Sequence, residues 1–225
     1  MARFSGFPKQ GLQFLRNLAK NNDREWFQEH KGDFEQYVKA PMTELVLELG
    51  EDFESFAPHY LTDPKKAIYR IYRDTRFSND KTPYKTHVAA SFNHKSLVKH
   101  AAAGFYFHLS PKELLVGGGV YMPGSSELLA IRRQISADPK RYEKIVTAKP
   151  FQRYFGAVTG ERLSRPPKGF LAGDPAIEML KQKQFLASEM LDPELALSPK
   201  LLPELSRRFQ ALAPFIDYLN QPLLG

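Results

Sequence analysis

The stretch "GFYFHLSPKELLVGGGVYM" at residues 104–122 has the pattern of two strands joined by a tight turn. In its first half Phe105 and Phe107 alternate with Tyr106 and His108, which is the period of a strand with one apolar and one polar face. "SPKE" follows, with a proline at the second position of a type I turn. "LLVGGGVYM" then returns as the partner strand. We therefore predict an antiparallel hairpin here.

Further strands and flanking helices can be predicted on either side of this hairpin. The segments with the composition of strands are "AIYRIY" (67–72), "HVAASF" (87–92) and "KQFLASEML" (183–191). Apolar residues at helical spacing occur near both ends of the chain, at Leu12, Leu15 and Leu18 and at Leu205, Phe209 and Leu212. We predict an α+β fold, with a central, mostly antiparallel sheet of at least four strands and N-terminal and C-terminal helices packed on it. Since no flexible linker interrupts the chain, we expect a single domain over residues 1–225.

The composition is that of a folded domain. Of the 225 residues, 42% are hydrophobic and 25% are charged, which is ordinary for globular proteins and argues against disorder. There is no cysteine, which excludes disulfides, thiolate metal sites and thiol nucleophiles. "MARFSGFPKQ" lacks the apolar segment of a signal peptide, and no run of apolar residues is long enough to cross a membrane. We expect a cytoplasmic protein that does not enter a membrane.

The net charge of +7 is unevenly distributed. The whole excess of positive charge lies between Arg70 and Lys168, and both ends of the chain are mildly acidic. Such a concentration raises the local positive potential and favours anionic partners. A solubilising surface is the other interpretation, because a basic composition by itself identifies no ligand.

The segment "RIYRDTRFSNDKTPYK" (70–85) has five basic and two acidic side chains and three aromatic rings. It would connect a strand ending near Tyr72 to one beginning near Thr86, and so is longer than most hairpin loops. Guanidinium groups suit phosphate and carboxylate oxygens, and the aromatic rings could stack on a planar group. The predicted ligand-binding residues of this loop are Arg70, Arg73, Asp74, Arg76, Asp80, Lys81, Tyr84 and Lys85. Alternatively the loop is structural, with Asp74 and Asp80 organising the arginines.

Three consecutive glycines, Gly117, Gly118 and Gly119, interrupt the second strand of the hairpin. They match neither of the glycine patterns of phosphate-binding loops, GxxxxGK[ST] and GxGxxG. The favoured interpretation is a bulge, or a strand section that another backbone approaches closely. The second interpretation is a ligand lying over the shallow floor that three missing side chains would leave. We include all three glycines among the predicted ligand-binding residues.

Known catalytic and metal-binding patterns are missing from the sequence. The six histidines have no metal-ligand spacing, and neither a Ser-His-Asp arrangement nor G-x-S-x-G occurs. Asp74 and Asp80 lie among cations, which hold carboxylates ionised and suit ion pairing better than general-acid catalysis. We expect no metal and no cofactor, and we assign no catalytic residue.

Several motifs together resemble one known family, the domain of unknown function 2461 (DUF2461). The resemblance covers nearly the whole chain and implies one family domain, but it supplies no reaction and no catalytic residues. The central motif is "RIYRDTRFSNDKTPYK". The others are "FLRNLAKNNDREWFQEHKGDFE" (14–35), "GGGVYMP" (117–123), "IRRQI" (131–135), "PPKGF" (166–170), "DPAIEMLKQKQF" (174–185) and "APFIDYL" (213–219).

The leading hypothesis from the sequence is an uncharacterised cytoplasmic protein that binds an anionic or phosphorylated small ligand at the 70–85 loop. A nucleic-acid-binding module is the second hypothesis, although no RNA- or DNA-binding motif supports it. A hydrolase or transferase acting on a phosphorylated substrate is the third, and a structural or partner-binding domain is the fourth. No protein partner can be named from the sequence.

Overall fold

Four antiparallel strands lie side by side in chain order: β1 (Val88–Asn93), β2 (Gly104–Leu109), β3 (Leu114–Val120) and β4 (Phe185–Leu191). The computed structural model describes residues 4–224. The β2–β3 hairpin has the predicted turn, where Leu109 pairs with Leu114. Helices precede and follow the sheet, and the predicted α+β fold with a central antiparallel sheet is confirmed.

Helices occupy most of the remaining chain. Before the sheet these are α1 (Lys9–Lys20), α2 (Arg24–Glu29), α3 (Lys31–Phe34), a π-helical segment (Glu35–Lys39), α4 (Ala40–Phe56) and α5 (Pro64–Ala67). Between β3 and β4 they are α6 (Ser125–Ala137), α7 (Pro139–Val146), α8 (Lys149–Tyr154) and α9 (Ile177–Leu180). A 3-10 turn (Pro193–Leu197), the long helix α10 (Leu201–Asn220) and a second 3-10 turn (Gln221–Leu223) follow β4. No helix within residues 4–224 is long and apolar enough to cross a bilayer.

One face of the sheet packs against α4 and α10. Phe105 of β2 is fully buried there, with its ring centroid 5.1 Å from that of Phe53 on α4 and 5.5 Å from that of Phe209 on α10. Within residues 4–224, neither α4 nor α10 covers the opposite face of the sheet, to which Tyr106 and His108 point, as their alternation with the buried phenylalanines requires. The core therefore lies on one side of the sheet, and the other side is left open.

The segment "AIYRIY" (67–72) forms no regular strand. Its pairing is limited to two isolated bridges, Ile68 with Ala90 and Tyr72 with Tyr84. The physical reason is that the chain turns back on itself at this point: the Arg73 N–H donates to the Pro83 carbonyl at 2.9 Å. The loop is thus closed by its own backbone hydrogen bonds.

Candidate functional site

A cavity of about 560 Å³ lies over the open face of the sheet. Its floor includes small residues of three strands, namely Ala89 and Ser91 of β1, Gly117 and Gly119 of β3, and Ser188 of β4. β2 lies between β1 and β3, and its Tyr106 and His108 side chains rise from the same face. The volume is within the range of pockets that bind small molecules. None of the described residues that line the cavity is an aspartate or a glutamate. Its walls instead carry lysine, histidine and tyrosine side chains.

Gly117 and Gly119 lie where β3 and β4 approach too closely for a side chain to fit. A Cβ atom on Gly117 would lie 2.3 Å from the Ala187 carbonyl oxygen, and one on Gly119 would lie 1.9 Å from the Phe185 carbonyl oxygen. Gly119 also has a φ of +129°, which L-residues rarely adopt. The favoured interpretation of the glycine run, close approach of another backbone, is therefore confirmed. The absence of side chains also leaves open space above the sheet.

Gly118 belongs to the opposite face of β3. A Cβ atom there would lie 2.9 Å from Leu212 Cδ2 and 3.1 Å from Ile216 Cδ1, both on α10. It would also lie 2.4 Å from the Gly104 carbonyl oxygen. This glycine therefore lets α10 pack directly onto the sheet, and only its backbone borders the cavity.

Two lysine ammonium groups lie beside the ring of Tyr69 in the cavity wall, and Lys85 is the one that lines the cavity. The Lys85 ammonium lies 5.5 Å from the centroid of this ring, and the Lys99 ammonium lies 4.9 Å from it. Lys85 is held in place because its Nζ donates to the Arg70 carbonyl at 2.7 Å. Burial lowers the pKa of Lys85, and the neighbouring charge of Arg70 lowers it further. Lys85 is therefore a partly buried cation in the cavity wall.

Two histidines line the cavity beside Lys85. The ring centroids of His87 and His108 are 5.2 Å apart. Burial, followed by the proximity of His108 and Lys85, lowers the pKa of His87 to about 4. At neutral pH His87 is thus uncharged, and it offers a ligand one hydrogen-bond donor and one acceptor.

His108 is the centre of a hydrogen-bonded chain of three side chains. Its Nε2 atom lies 2.9 Å from Oε1 of Glu113, and its Nδ1 atom lies 3.1 Å from the Tyr106 hydroxyl. Burial is the main reason that the pKa of Tyr106 is raised to about 12. The chain thus connects a solvent-accessible carboxylate to a phenol in the cavity wall.

Most of the charged loop residues are paired within the loop. Arg73 donates to Asp80 and to Thr82, and Arg76 donates to both carboxylate oxygens of Asp74, at 3.0 and 2.8 Å. The hydrogen bonds from Arg76 lower the pKa of Asp74 to about 2. The pKa of Asp80 is likewise lowered to about 2, first by the Thr82 N–H and then by Arg73. These contacts give the two carboxylates the organising role that the structural interpretation of the loop assigned to them.

The remaining loop residues are placed in three different ways. Lys81 donates to the Thr75 carbonyl at 2.9 Å and is exposed. Tyr84 is buried and stacks on Phe27, with ring centroids 4.1 Å apart. The exposed side chain of Arg70 makes no hydrogen bond to any other residue that the structure describes.

Among the predicted ligand-binding residues, the structure brings together Lys85 and the three glycines, all of which border the cavity. The other seven residues of the loop lie outside its lining, and ligand binding by them stays a prediction. The sequence analysis missed Tyr69, His87, Tyr106, His108 and Ser188. The alternation in β2 had placed Tyr106 and His108 on one face, but only the position of the helices shows that this face is open.

Comparison with protein families identifies a match over most of the chain. The family model described as "Conserved hypothetical protein (DUF2461)" matches residues 10–218. No curated protein matches the chain. Within residues 4–224, no group of three or more histidine, aspartate or glutamate side chains is arranged to hold a metal ion.

Proposed function

This chain belongs to the DUF2461 family of conserved hypothetical proteins, and we propose that it binds a small organic anion in the cavity on the open face of its sheet. The observation that carries the proposal is the combination of a glycine floor with a partly buried lysine and a lining without carboxylates. Such a site attracts negative charge, because no acidic side chain of the lining neutralises the ammonium group.

The shape of the cavity supports a ligand with a flat body. Gly117 and Gly119 have no side chain above the sheet, so they leave a recess beside the ring of Tyr106, which pairs with Gly117 on the neighbouring strand. The walls of the cavity include aromatic rings, and such rings favour stacking on, or edge contact with, a planar group. The proposed ligand is therefore a planar organic molecule with a carboxylate or phosphate group.

The 70–85 loop has two parts in this proposal. Lys85, at its end, contacts the anionic group of the ligand. The pairs Arg73–Asp80 and Arg76–Asp74 hold the loop in the conformation that keeps Lys85 at the cavity wall. The proposed anion site is thus at the end of the loop that joins β1, whereas the sequence analysis assigned it to the 70–85 loop as a whole.

Thermal-shift measurements and calorimetric titrations with benzoate, succinate, inorganic phosphate and adenosine monophosphate test this function. We expect at least one of these anions to raise the melting temperature, since a ligand that binds only the folded state stabilises it. Carboxylates and phosphates form separate arms, so the result identifies which anion the cavity accepts. If none of them binds at millimolar concentration, the proposal is contradicted.

Lys85→Gln is expected to weaken binding of the active anion by about tenfold or more, because a hydrogen bond to a charged group is lost from a partly buried site. Titration calorimetry measures this loss. The matched control is Lys81→Gln, since Lys81 also donates to a backbone carbonyl of the same loop but lies outside the cavity. An equal loss of affinity in both variants would mean that Lys85 acts only through the general charge of the loop.

Ser188→Phe is expected to reduce binding by about tenfold or more, because an aromatic ring there would occupy the floor of a site of this size. Ser188 pairs with Gly117 in the β3–β4 ladder and is exposed, so a larger side chain there can extend over the neighbouring glycine. Met190→Phe is the control: it lies two residues further along β4, is 67% exposed and does not line the cavity. Undiminished binding by Ser188→Phe would place the ligand elsewhere.

A further inference from the structure

We propose that the Tyr106 hydroxyl is a hydrogen-bond acceptor for the ligand, so that the cavity selects small organic acids that also carry a hydroxyl or amino group. This inference rests on the proposed function, because it adds a second contact to the same cavity. It follows from the directions of the two hydrogen bonds that link Glu113, His108 and Tyr106. The Glu113–His108 bond is considered first, and the His108–Tyr106 bond second.

The first bond has a fixed direction. Glu113 is partly exposed, and an ionised carboxylate has no proton to donate. The Nε2 atom of His108, 2.9 Å from Oε1 of Glu113, must therefore carry a hydrogen and donate it. A neutral imidazole has only one N–H, so Nδ1 of neutral His108 is left as an acceptor.

The second bond follows from the first. In the neutral ring Nδ1 of His108 has no hydrogen, so the Tyr106 hydroxyl, 3.1 Å away, is the donor of this bond. Tyr106 keeps this hydrogen at neutral pH, because burial raises its pKa to about 12. The hydroxyl therefore donates to His108, and its remaining lone pairs are available to a ligand.

Tyr106 and Lys85 lie beside the same side chain of the cavity lining. Both are neighbours of Tyr69, whose ring centroid lies 6.3 Å from that of Tyr106 and 5.5 Å from the Lys85 ammonium. All three residues line the same cavity. A ligand with its anionic group at Lys85 can thus donate a hydrogen bond from a hydroxyl or amino group to the Tyr106 hydroxyl oxygen. A ligand group that can only accept hydrogen bonds would find no hydrogen on Tyr106, because that hydrogen is donated to His108.

The proton position on His108 can be measured without any ligand. Long-range proton–nitrogen correlation spectra of the nitrogen-labelled protein, recorded in mildly alkaline buffer, distinguish the two neutral tautomers and the imidazolium. Comparison with His108→Gln assigns the resonance. We expect the neutral tautomer with its hydrogen on Nε2. The Nδ1–H tautomer or the imidazolium would overturn the proposal, because Tyr106 would then accept from His108 and be free to donate.

The ligand preference is tested with four matched probes: meta-hydroxybenzoate, meta-aminobenzoate, meta-methoxybenzoate and benzoate. We expect the hydroxy and amino compounds to bind about tenfold more tightly than the methoxy compound, which can accept but cannot donate. Tyr106→Phe should abolish this difference, because the variant has no hydroxyl to accept from the probe. Equal or tighter binding of the methoxy compound to the wild-type protein would overturn the donor requirement.

The two proposals can fail separately. If no probe or other anion binds while the spectra show hydrogen on Nε2, the anion-binding function is overturned. The direction of the hydrogen bond from Tyr106 to His108 is then still supported. If benzoate binds and Lys85→Gln weakens it, but the hydroxy compound has no advantage, the anion site stands and the donor subsite is overturned.

Discussion

Gly119→Ala is expected to lower the free energy of unfolding by more than about 3 kcal/mol, because two independent penalties meet at this position. The backbone has a φ of +129°, in a region that is almost restricted to glycine. The new Cβ atom would also lie 1.9 Å from the Phe185 carbonyl oxygen of the neighbouring strand. β3 and β4 would have to separate at this end of the sheet. Chemical denaturation followed by circular dichroism measures the loss.

Gly156→Ala separates the two penalties. Gly156 has a φ of +67°, but no atom lies within 4 Å of the position that its Cβ would occupy. We expect it to cost only about 1–2 kcal/mol, the price of a left-handed conformation alone. If the two variants lost equal stability, β4 would have to adjust freely to the added methyl group. The close approach of the strands would then not be the reason for glycine at position 119.

Arg208→Ala is expected to cost about 3–5 kcal/mol, because it breaks a buried charged network. Arg208 on α10 is 6% exposed and donates from Nε to Glu189 of β4 at 2.6 Å and from Nη1 to Glu204. Its guanidinium also lies 4.7 Å from the ring centroid of Tyr154 on α8. One side chain therefore joins two helices to the last strand. Its removal leaves two carboxylates without a buried partner, and denaturation curves measure the loss.

Arg207→Ala is the matched control for this variant. Arg207 is the adjacent residue and also pairs with Glu204, but its side chain is 58% exposed. We expect it to change stability by less than about 1 kcal/mol, as for other surface ion pairs. Arg208 is the main cause of the lowered pKa of Glu204, so this part of its contribution is lost as the pH falls through that lowered pKa. A penalty for Arg208→Ala no larger than that for Arg207→Ala would contradict the role of burial.

The fold was predicted from short-range patterns. The alternation of Phe105 and Phe107 with Tyr106 and His108 located β2 and both of its faces, because side chains of a strand point to opposite sides in turn. The composition of 87–92 and 183–191 located β1 and β4 to within two residues. Residues 67–72 have the same kind of composition, but they form only isolated bridges, because the chain turns back at Arg73, whose N–H donates to the Pro83 carbonyl.

The candidate site was predicted in part. The glycine run was identified because three glycines inside a strand are unusual, and Lys85 was included as one of five cations in the loop. Composition cannot distinguish Lys85 from Arg73, since both are basic residues of the same segment. The distinction depends on how the loop folds: Arg73 finds Asp80 seven residues away, and Lys85 is brought to Tyr69 at the cavity wall.

The sequence by itself determined which residues share a face of the sheet, because that depends only on the two-residue period of a strand. The tertiary structure alone decided which face became the core and which the cavity. Phe53 and Phe209 come from opposite ends of the chain, and their packing on Phe105 places α4 and α10 on the same side. Contacts between residues so distant in sequence leave no local pattern. The cavity lies on the opposite side of the sheet, over Gly117 and Gly119.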